Sequence, residues 1–248
     1  MKSKRPVLIL GATSAIARQL AGALARRGYA LYLASRDAEE LERIAKDVEI
    51  RYGVPVRCGR FDADDYASHT ELVAQVIEKM GGLYGVVYAV GYLGATPGKA
   101  QDPLDVVRVI SRNLTGGVSV LELCAAYLET TGRGFILGIS SVGGDRGRKR
   151  NYIYGAAKAG LSTYLQGLRH RMYGTGVRVV CVKPGYVDTP MVYGEHKGPL
   201  VASPAAVGER IARAAESGPT TVYVPFFWRY FMLIIKYTPE FIFHRTNL

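Results

Sequence analysis

Tyr154 and Lys158 stand four residues apart in a run, residues 152–173, whose apolar spacing predicts one amphipathic helix. Positions four apart share a helix face, so a phenol and an ammonium there can act on a common point. A cation beside a phenol favours phenolate. The expectation is that Lys158 draws the Tyr154 pKa down from about 10 toward the range useful for proton transfer near neutrality. Upstream, residues 134–139 form a short apolar run that reads as a buried strand, and it delivers Ser140 and Ser141 at its carboxyl end. Open parallel sheets place their ligands at that end of the strands. A serine hydroxyl there can bond the same oxygen that a tyrosine protonates.

The elements that must position these groups are legible upstream. Residues 7–10 are a short apolar strand, followed by Gly11-Ala12-Thr13-Ser14-Ala15-Ile16-Ala17 and a helical pattern ending near Gly28. A strand, a tight glycine turn and a helix N-terminus make an anion site, because free backbone amides and the helix dipole face the ligand. A second strand over 30–34 ends at Ser35-Arg36-Asp37, and a charged helix is expected over 37–52. Strands follow over 55–60, 83–89, 134–139, 177–182 and 220–224, with helices over 66–80, 103–130 and from Ser203-Pro204 onward. In the 103–130 stretch two helical segments meet near Asn113, beside Gly116. Seven strands alternating with helices predict an α/β fold, a doubly wound parallel sheet with helices on both faces. Residues 1–224 are read as one domain and 225–248 as a separate aromatic and basic tail.

The combination of Ser141 thirteen residues before Tyr154, Tyr154-x-x-x-Lys158 and the glycine turn after the first strand resembles the short-chain dehydrogenase/reductase family. The spacing selects Ser141 over Ser140. The resemblance implies a Rossmann sheet and reversible hydride transfer between a nicotinamide cofactor and a carbonyl or secondary alcohol. It assigns Tyr154 as proton donor, Lys158 to the tyrosine and the nicotinamide ribose, and Ser141 to the carbonyl oxygen. Asn113 would hold a water that links Lys158 to solvent. For the cofactor it implies contacts along Gly11, Thr13, Ser14, Ala15 and Ile16, at Asp62 and Ala63 beside the adenine, and at Ala89, Val90 and Gly91 along the ribose channel. Pro184, Gly185, Val187 and Thr189 match the segment beside the nicotinamide carboxamide. Two departures stand out. Ala15 and Ala17 occupy positions where the family has glycine, and alanine resists positive φ. Tyr88 and Ala89 replace two asparagines.

Enzymes that prefer NAD usually hold the ribose 2′-hydroxyl with a carboxylate at the end of the second strand. Ser35 occupies that place and Arg36 follows it, so Arg36 would clamp a 2′-phosphate and NADP(H) is the expected cofactor. The competing role for Arg36 is an ion pair with Asp37 or Glu39. Asp62 or Asp64 could equally cap the helix that follows them.

The net charge of +11 and the pI near 9.6 suit an acidic partner. Much of that charge is local: residues 146–150 hold Arg146, Arg148, Lys149 and Arg150 between Ser141 and Tyr154, bordering the expected substrate mouth. The segment from Tyr186 to Pro199 is the expected substrate lid, carrying Met191, Val192, Tyr193 and His196. Residues 226–237 are dense in aromatic and aliphatic side chains, with Arg229 and Lys236 seven apart on one face. That pattern is interrupted too soon to span a membrane and suits an interfacial helix, or a helix packed on its own domain or across a dimer. The tail and basic loop are similar to those of family members acting on lipid-phosphate-linked keto-sugars, the decaprenylphosphoryl 2-keto-pentose reductases. A soluble ketone such as a 3-oxoacyl thioester is the alternative substrate, and a non-catalytic dinucleotide sensor the alternative to an enzyme.

Cys58, Cys124 and Cys181 lie in apolar runs and read as free thiols of a reducing, cytoplasmic setting. His69, His170, His196 and His244 have no metal-ligand spacing, and no nucleic-acid recognition motif accompanies the charge. The N-terminal segment, Met1 to Arg5, is basic but runs straight into the first strand. The family resemblance further implies a homodimer or homotetramer built on the helices of residues 103–130 and 152–173.

Overall fold

The computed structural model describes residues 5–94, 102–190 and 200–246. Residues 1–4 and the lid residues Met191, Val192, Tyr193 and His196 lie outside them. Seven strands form one parallel sheet in the order β3-β2-β1-β4-β5-β6-β7. They are β1 Pro6–Leu10, β2 Ala30–Ser35, β3 Val56–Arg60, β4 Gly85–Tyr88, β5 Gly134–Ile139, β6 Val177–Pro184 and β7 Thr221–Val224. β1 and β4 are fully buried, which is why these strands read as continuous apolar runs rather than alternating ones. The strand order reverses direction between β1 and β4, and ligands of open sheets bind in the crevice at such a point.

Helices cover both faces. One apolar core packs β-strand side chains such as Val7, Ile9 and Leu33 against α1 Ala15–Arg26, α2 Ala38–Tyr52 and α7 Pro204–Glu216. The opposite core packs Leu8, Leu10 and Val86 against α3 His69–Met80, α5 Gly116–Thr131 and α6 Tyr152–Arg171. Neighbouring strand residues thus serve different cores, as the pleat requires. α4 Pro103–Ile110 joins α5 through one π-helical turn, Ser111–Thr115, with Asn113 at its centre. α7 begins as its sequence indicates: Ser203 Oγ accepts from the Ala206 amide at 3.3 Å, and Pro204 takes the first position.

After β7 the chain forms α8 Trp228–Tyr237 and a single turn, α9 Glu240–Phe243. α8 lies on the domain by one face only: Trp228 and Met232 are buried with Val142, while Tyr186 and Tyr223 pack alongside. No helix among the described residues is long and apolar enough to cross a membrane.

Candidate active site

The turn after β1 depends on one glycine. Gly11 has φ +78°, and a Cβ there would meet Val90 and the Ala89 backbone at 3.0–3.1 Å. Ser14 then caps α1, its Oγ accepting from the Ala17 amide at 3.3 Å. Ala15 and Ala17 are already helical, and among the described residues no residue other than glycine has positive φ. The feared conflict with alanine does not arise, because only Gly11 must enter the left-handed region. The first turn of α1 carries no acidic residue, so its amides and dipole face the groove without a competing charge.

Thr13 Oγ1 and Ser35 Oγ are 3.0 Å apart, tying this turn to the end of β2. Arg36 shares their cavity with Gly11, Asp62, Ala63 and Arg112. The carboxylates that competed for Arg36 are engaged elsewhere: Asp37 accepts from the Glu40 amide at 3.0 Å, and Glu39 pairs with Arg43 at 2.6 Å. Arg36 forms no ion pair among the described residues, although its charge helps hold the Asp64 carboxyl below its usual range.

Neither Asp62 nor Asp64 caps a helix, which corrects that reading. Asp62 Oδ1 accepts from the Asp64 amide at 3.2 Å, a local turn, and Asp64 pairs with Arg112 at 2.6 Å. The chain instead enters α3 through a 3-10 turn over Tyr66–Ser68 that has no side-chain cap. His69, fully buried, fixes this segment by bonding the Asp62 carbonyl and Ser119. Tyr88, in place of an asparagine, is also fully buried, and its hydroxyl donates to the Arg112 carbonyl at 2.5 Å. The sheet is therefore still linked to the π turn, by a longer side chain.

Asn113 is buried, but its side chain is committed to the segment after β4. Its Nδ2 donates to Tyr92 O at 2.6 Å and Val109 O at 2.8 Å, and its Oδ1 accepts from the Tyr92 amide at 3.1 Å. It makes no direct bond to Lys158. What it does in this geometry is fix Tyr92, which follows Val90 and Gly91 along the groove.

Ser140 and Ser141 separate as the spacing selected. Ser140 turns into the interior, bonding Lys158 O and Ser162 Oγ at 2.8 Å each. Ser141 lines the cleft beside Tyr154 and lowers the pull of burial on that phenol, while its Oγ accepts from the Gly143 amide at 3.0 Å. Lys158 Nζ lies 5.7 Å from the Tyr154 ring centre and donates to Val90 O at 3.1 Å and Ile139 O at 2.9 Å. One carbonyl belongs to the segment just after β4 and the other to the last residue of β5, so the amine is fixed where these two strands wall the crevice.

The electrostatics reverse one expectation. Burial pushes the Tyr154 phenol up to about 12, opposed only by the Ser141 hydrogen bond. Burial also pulls Lys158 down to about 7. Lys158 does not acidify the phenol, because both groups have lost the water that would stabilise their charged forms.

Ser141, Tyr154 and Lys158 line one cleft of ≈ 1600 Å³ together with Thr13, Ser14, Ala15, Ile16, Ala89, Val90 and Gly91. Pro184, Gly185, Val187 and Thr189 form its far wall. Val187 bridges to Ala202 through the Asp188 and Ala202 amides, so its own amide takes no part in that bridge. The cleft and the Arg36 cavity share Thr13, Ser14, Ala89, Val90 and Gly91. This continuous groove, with an anion-binding turn at its middle and an arginine at one end, fits a phosphorylated dinucleotide whose far end reaches Tyr154. Arg18, Arg112 and Asn151 also line it and carry no signal in the sequence that separates them from surface residues.

The basic loop is only partly a rim. Arg146 Nη1 donates to Ile235 O at 2.6 Å and Lys236 O at 3.1 Å, and bonds Thr238 O as well, while its guanidinium lies 4.0 Å above the Phe243 ring. It caps the end of α8. Arg148 is buried against Met232, and only Lys149 and Arg150 are exposed at the cleft. Asp145 is buried in a pair with Lys183 and accepts from Tyr223 Oη at 2.8 Å, which anchors the loop to β6 and β7.

A family model described as short chain dehydrogenase matches residues 5–198. An uncharacterized oxidoreductase of Mycobacterium tuberculosis is 36% identical over 240 residues, covering 97% of this chain and 96% of the relative. Among solved structures, actinorhodin polyketide ketoreductase with NADPH superposes with a TM-score of 0.81 at 24% identity, covering 91% of this chain and 97% of that one. NAD+-bound xylitol dehydrogenase does so with a TM-score of 0.80 at 20% identity, covering 90% and 99%.

Proposed function

The chain belongs to the short-chain dehydrogenase family, and from that premise we propose that it interconverts a ketone and a secondary alcohol using NADP(H). The observation that carries this reading is the convergence of Ser141, Tyr154 and Lys158 on the groove that begins at the Gly11 turn. When bound, the nicotinamide supplies hydride to the carbonyl carbon, or accepts it in reverse. Ser141 hydrogen-bonds and orients the carbonyl oxygen. Tyr154 gives that oxygen its proton. Lys158, held by Val90 O and Ile139 O, stabilises the phenolate left behind and is placed to bond the nicotinamide ribose. The Asn113 turn would carry the replacement proton toward Lys158.

NADP(H) is preferred because Arg36 is exposed beside the Thr13–Ser35 hydroxyl pair, with both neighbouring carboxylates engaged by other groups. Charge-assisted hydrogen bonds to phosphate contribute roughly 1.5–3 kcal/mol, so Arg36→Ala is expected to raise the KM for NADPH by about 10- to 100-fold. The KM for NADH should change little. Equal effects on both cofactors would reassign Arg36.

The substrate reading is a lipid-phosphate-linked keto-sugar met at the cytoplasmic face of a membrane. Supporting it, α8 carries an exposed apolar face and is tied by Arg146 to the loop that borders the cleft. Lys149 and Arg150 stand at the cleft itself. NADPH oxidation across lipid-linked keto-sugars, keto-sugar phosphates and 3-oxoacyl thioesters tests it, with the highest kcat/KM expected on the lipid-linked ketone. Preference for the thioester would replace the substrate class, and no NADPH oxidation with any ketone would overturn the enzyme assignment.

A further inference from the structure

The four cations of the loop between Ser141 and Tyr154 are not equivalent. Arg146 is consumed by the end of α8, and Lys149 and Arg150 are solvated. Arg148 is 8% exposed, yet pairs with no carboxylate among the described residues. The nearest acid in sequence, Asp145, is committed to Lys183 and Tyr223. Among the described residues the Arg148 guanidinium makes only weak contacts: Nη2 to Val142 O at 3.4 Å and to Met232 Sδ at 3.3 Å. Its Nε is buried with no hydrogen-bond partner among the described residues, as is Oδ1 of Asn151. Arg148 and Asn151 both line the cleft that contains Ser141 and Tyr154.

A buried charge is normally paired and fully hydrogen-bonded, because desolvation is otherwise uncompensated. Here Arg148 lines the substrate cleft. We propose that Arg148 is the anion-recognition residue of the substrate site and holds a phosphoryl group carried by the ketone, with Asn151 Oδ1 accepting from a hydroxyl beside it. This rests on the reading of the cleft as a ketone-reducing site, and it names which loop cation reads the substrate. A phosphoryl group suits the site because Lys149 and Arg150 add positive charge at the rim, and because a guanidinium matches phosphate oxygens with several directed donors.

Trp228 is the single tryptophan of the chain and packs with Val142 and Met232, the two residues that Arg148 touches. Its emission therefore reports on the site. The experiment titrates inorganic phosphate into the NADP+-saturated protein at constant ionic strength, so that the cofactor's own phosphate sites are filled. A saturable change in Trp228 emission at low millimolar phosphate is expected, reproduced by glycerol 3-phosphate and absent with glycerol. Arg148→Met should weaken it at least tenfold, while Met232→Leu, which keeps the cation and the packing, should leave it in place. Should Arg148→Met fail to fold by circular dichroism, Arg148→Lys is read instead, with at least a fivefold weakening expected. Phosphatidic acid vesicles that compete with inorganic phosphate, where phosphatidylcholine vesicles do not, mark a lipid-borne phosphate; competition from soluble esters alone marks a soluble one. No saturable change in the wild type, or unchanged affinity in the Arg148 variant, overturns the proposal. Tyr154→Phe separates it from the ketone-reduction reading, since that variant loses turnover but keeps the phosphate response.

Discussion

Burial acts on Tyr154 and Lys158 in opposite senses, lifting the phenol to about 12 and lowering the amine to about 7. The pair thus carries two protons below about pH 7 and one above it. The one-proton pair can exist as amine and phenol or as ammonium and phenolate, which have the same proton count, so the titration belongs to the pair. Ketone reduction starts from the two-proton form and ends in the one-proton form. Its kcat/KM should be level below pH 7 and fall about tenfold per unit above, while alcohol oxidation rises through the same region and then levels. Profiles measured in both directions with the cofactor saturating check this, and two parallel profiles would contradict it. Spacing placed Tyr154 and Lys158 together, because residues four apart on a helix meet wherever that helix lies, and the family resemblance added Ser141. It could not give the sign of the shifts, which depend on water excluded by β4, β5 and the Gly143 turn, segments distant in sequence.

At the scale of elements, α1 shows why a glycine pattern is a weaker signal than its position. The phosphate turn needs one left-handed residue, Gly11, and the next two pattern positions fall inside the helix. Ala17→Gly, which matches the family pattern more closely, should therefore destabilise the protein by about 1 kcal/mol in a denaturant titration. A gain in stability would mean that position 17 is strained as alanine. The strands and most helices were readable because apolar periodicity is a local property. The α4–α5 junction was read as a meeting of two segments, but not as a π turn held by Tyr88, since that bond crosses from the sheet. Arg146 and α8 were both visible in the sequence as separate features. Their clasp, about ninety residues apart in the chain, was not.

For the molecule as a whole, two cores enclose the sheet, and among the described residues two apolar surfaces stand exposed. One is on α4, where Leu104 and Val107 are exposed, and suits the helix-built dimer or tetramer that the resemblance implies. The other is the outer face of the tail, where Phe226, Tyr230, Ile234, Tyr237 and Phe241 are each more than 60% exposed beside Arg229 and Lys236. Aromatic and aliphatic side chains flanked by cations favour an anionic lipid surface. Ile234→Asp paired with Tyr237→Ser should reduce flotation with anionic vesicles at least severalfold, leaving NADP(H) affinity intact. Undiminished flotation would assign this face to another chain. The composition foretold a basic chain with apolar residues enough for an α/β fold, but not which cations would be spent inside it.

The central claim is that Tyr154 is the proton donor of a hydride transfer, and one comparison tests it most directly. NADPH oxidation with a ketone that the wild type turns over is measured for the Tyr154→Phe protein, alongside its affinity for NADPH. Loss of kcat by about 100- to 10,000-fold with cofactor affinity preserved is the predicted result. Turnover at the wild-type rate without the phenol would contradict it.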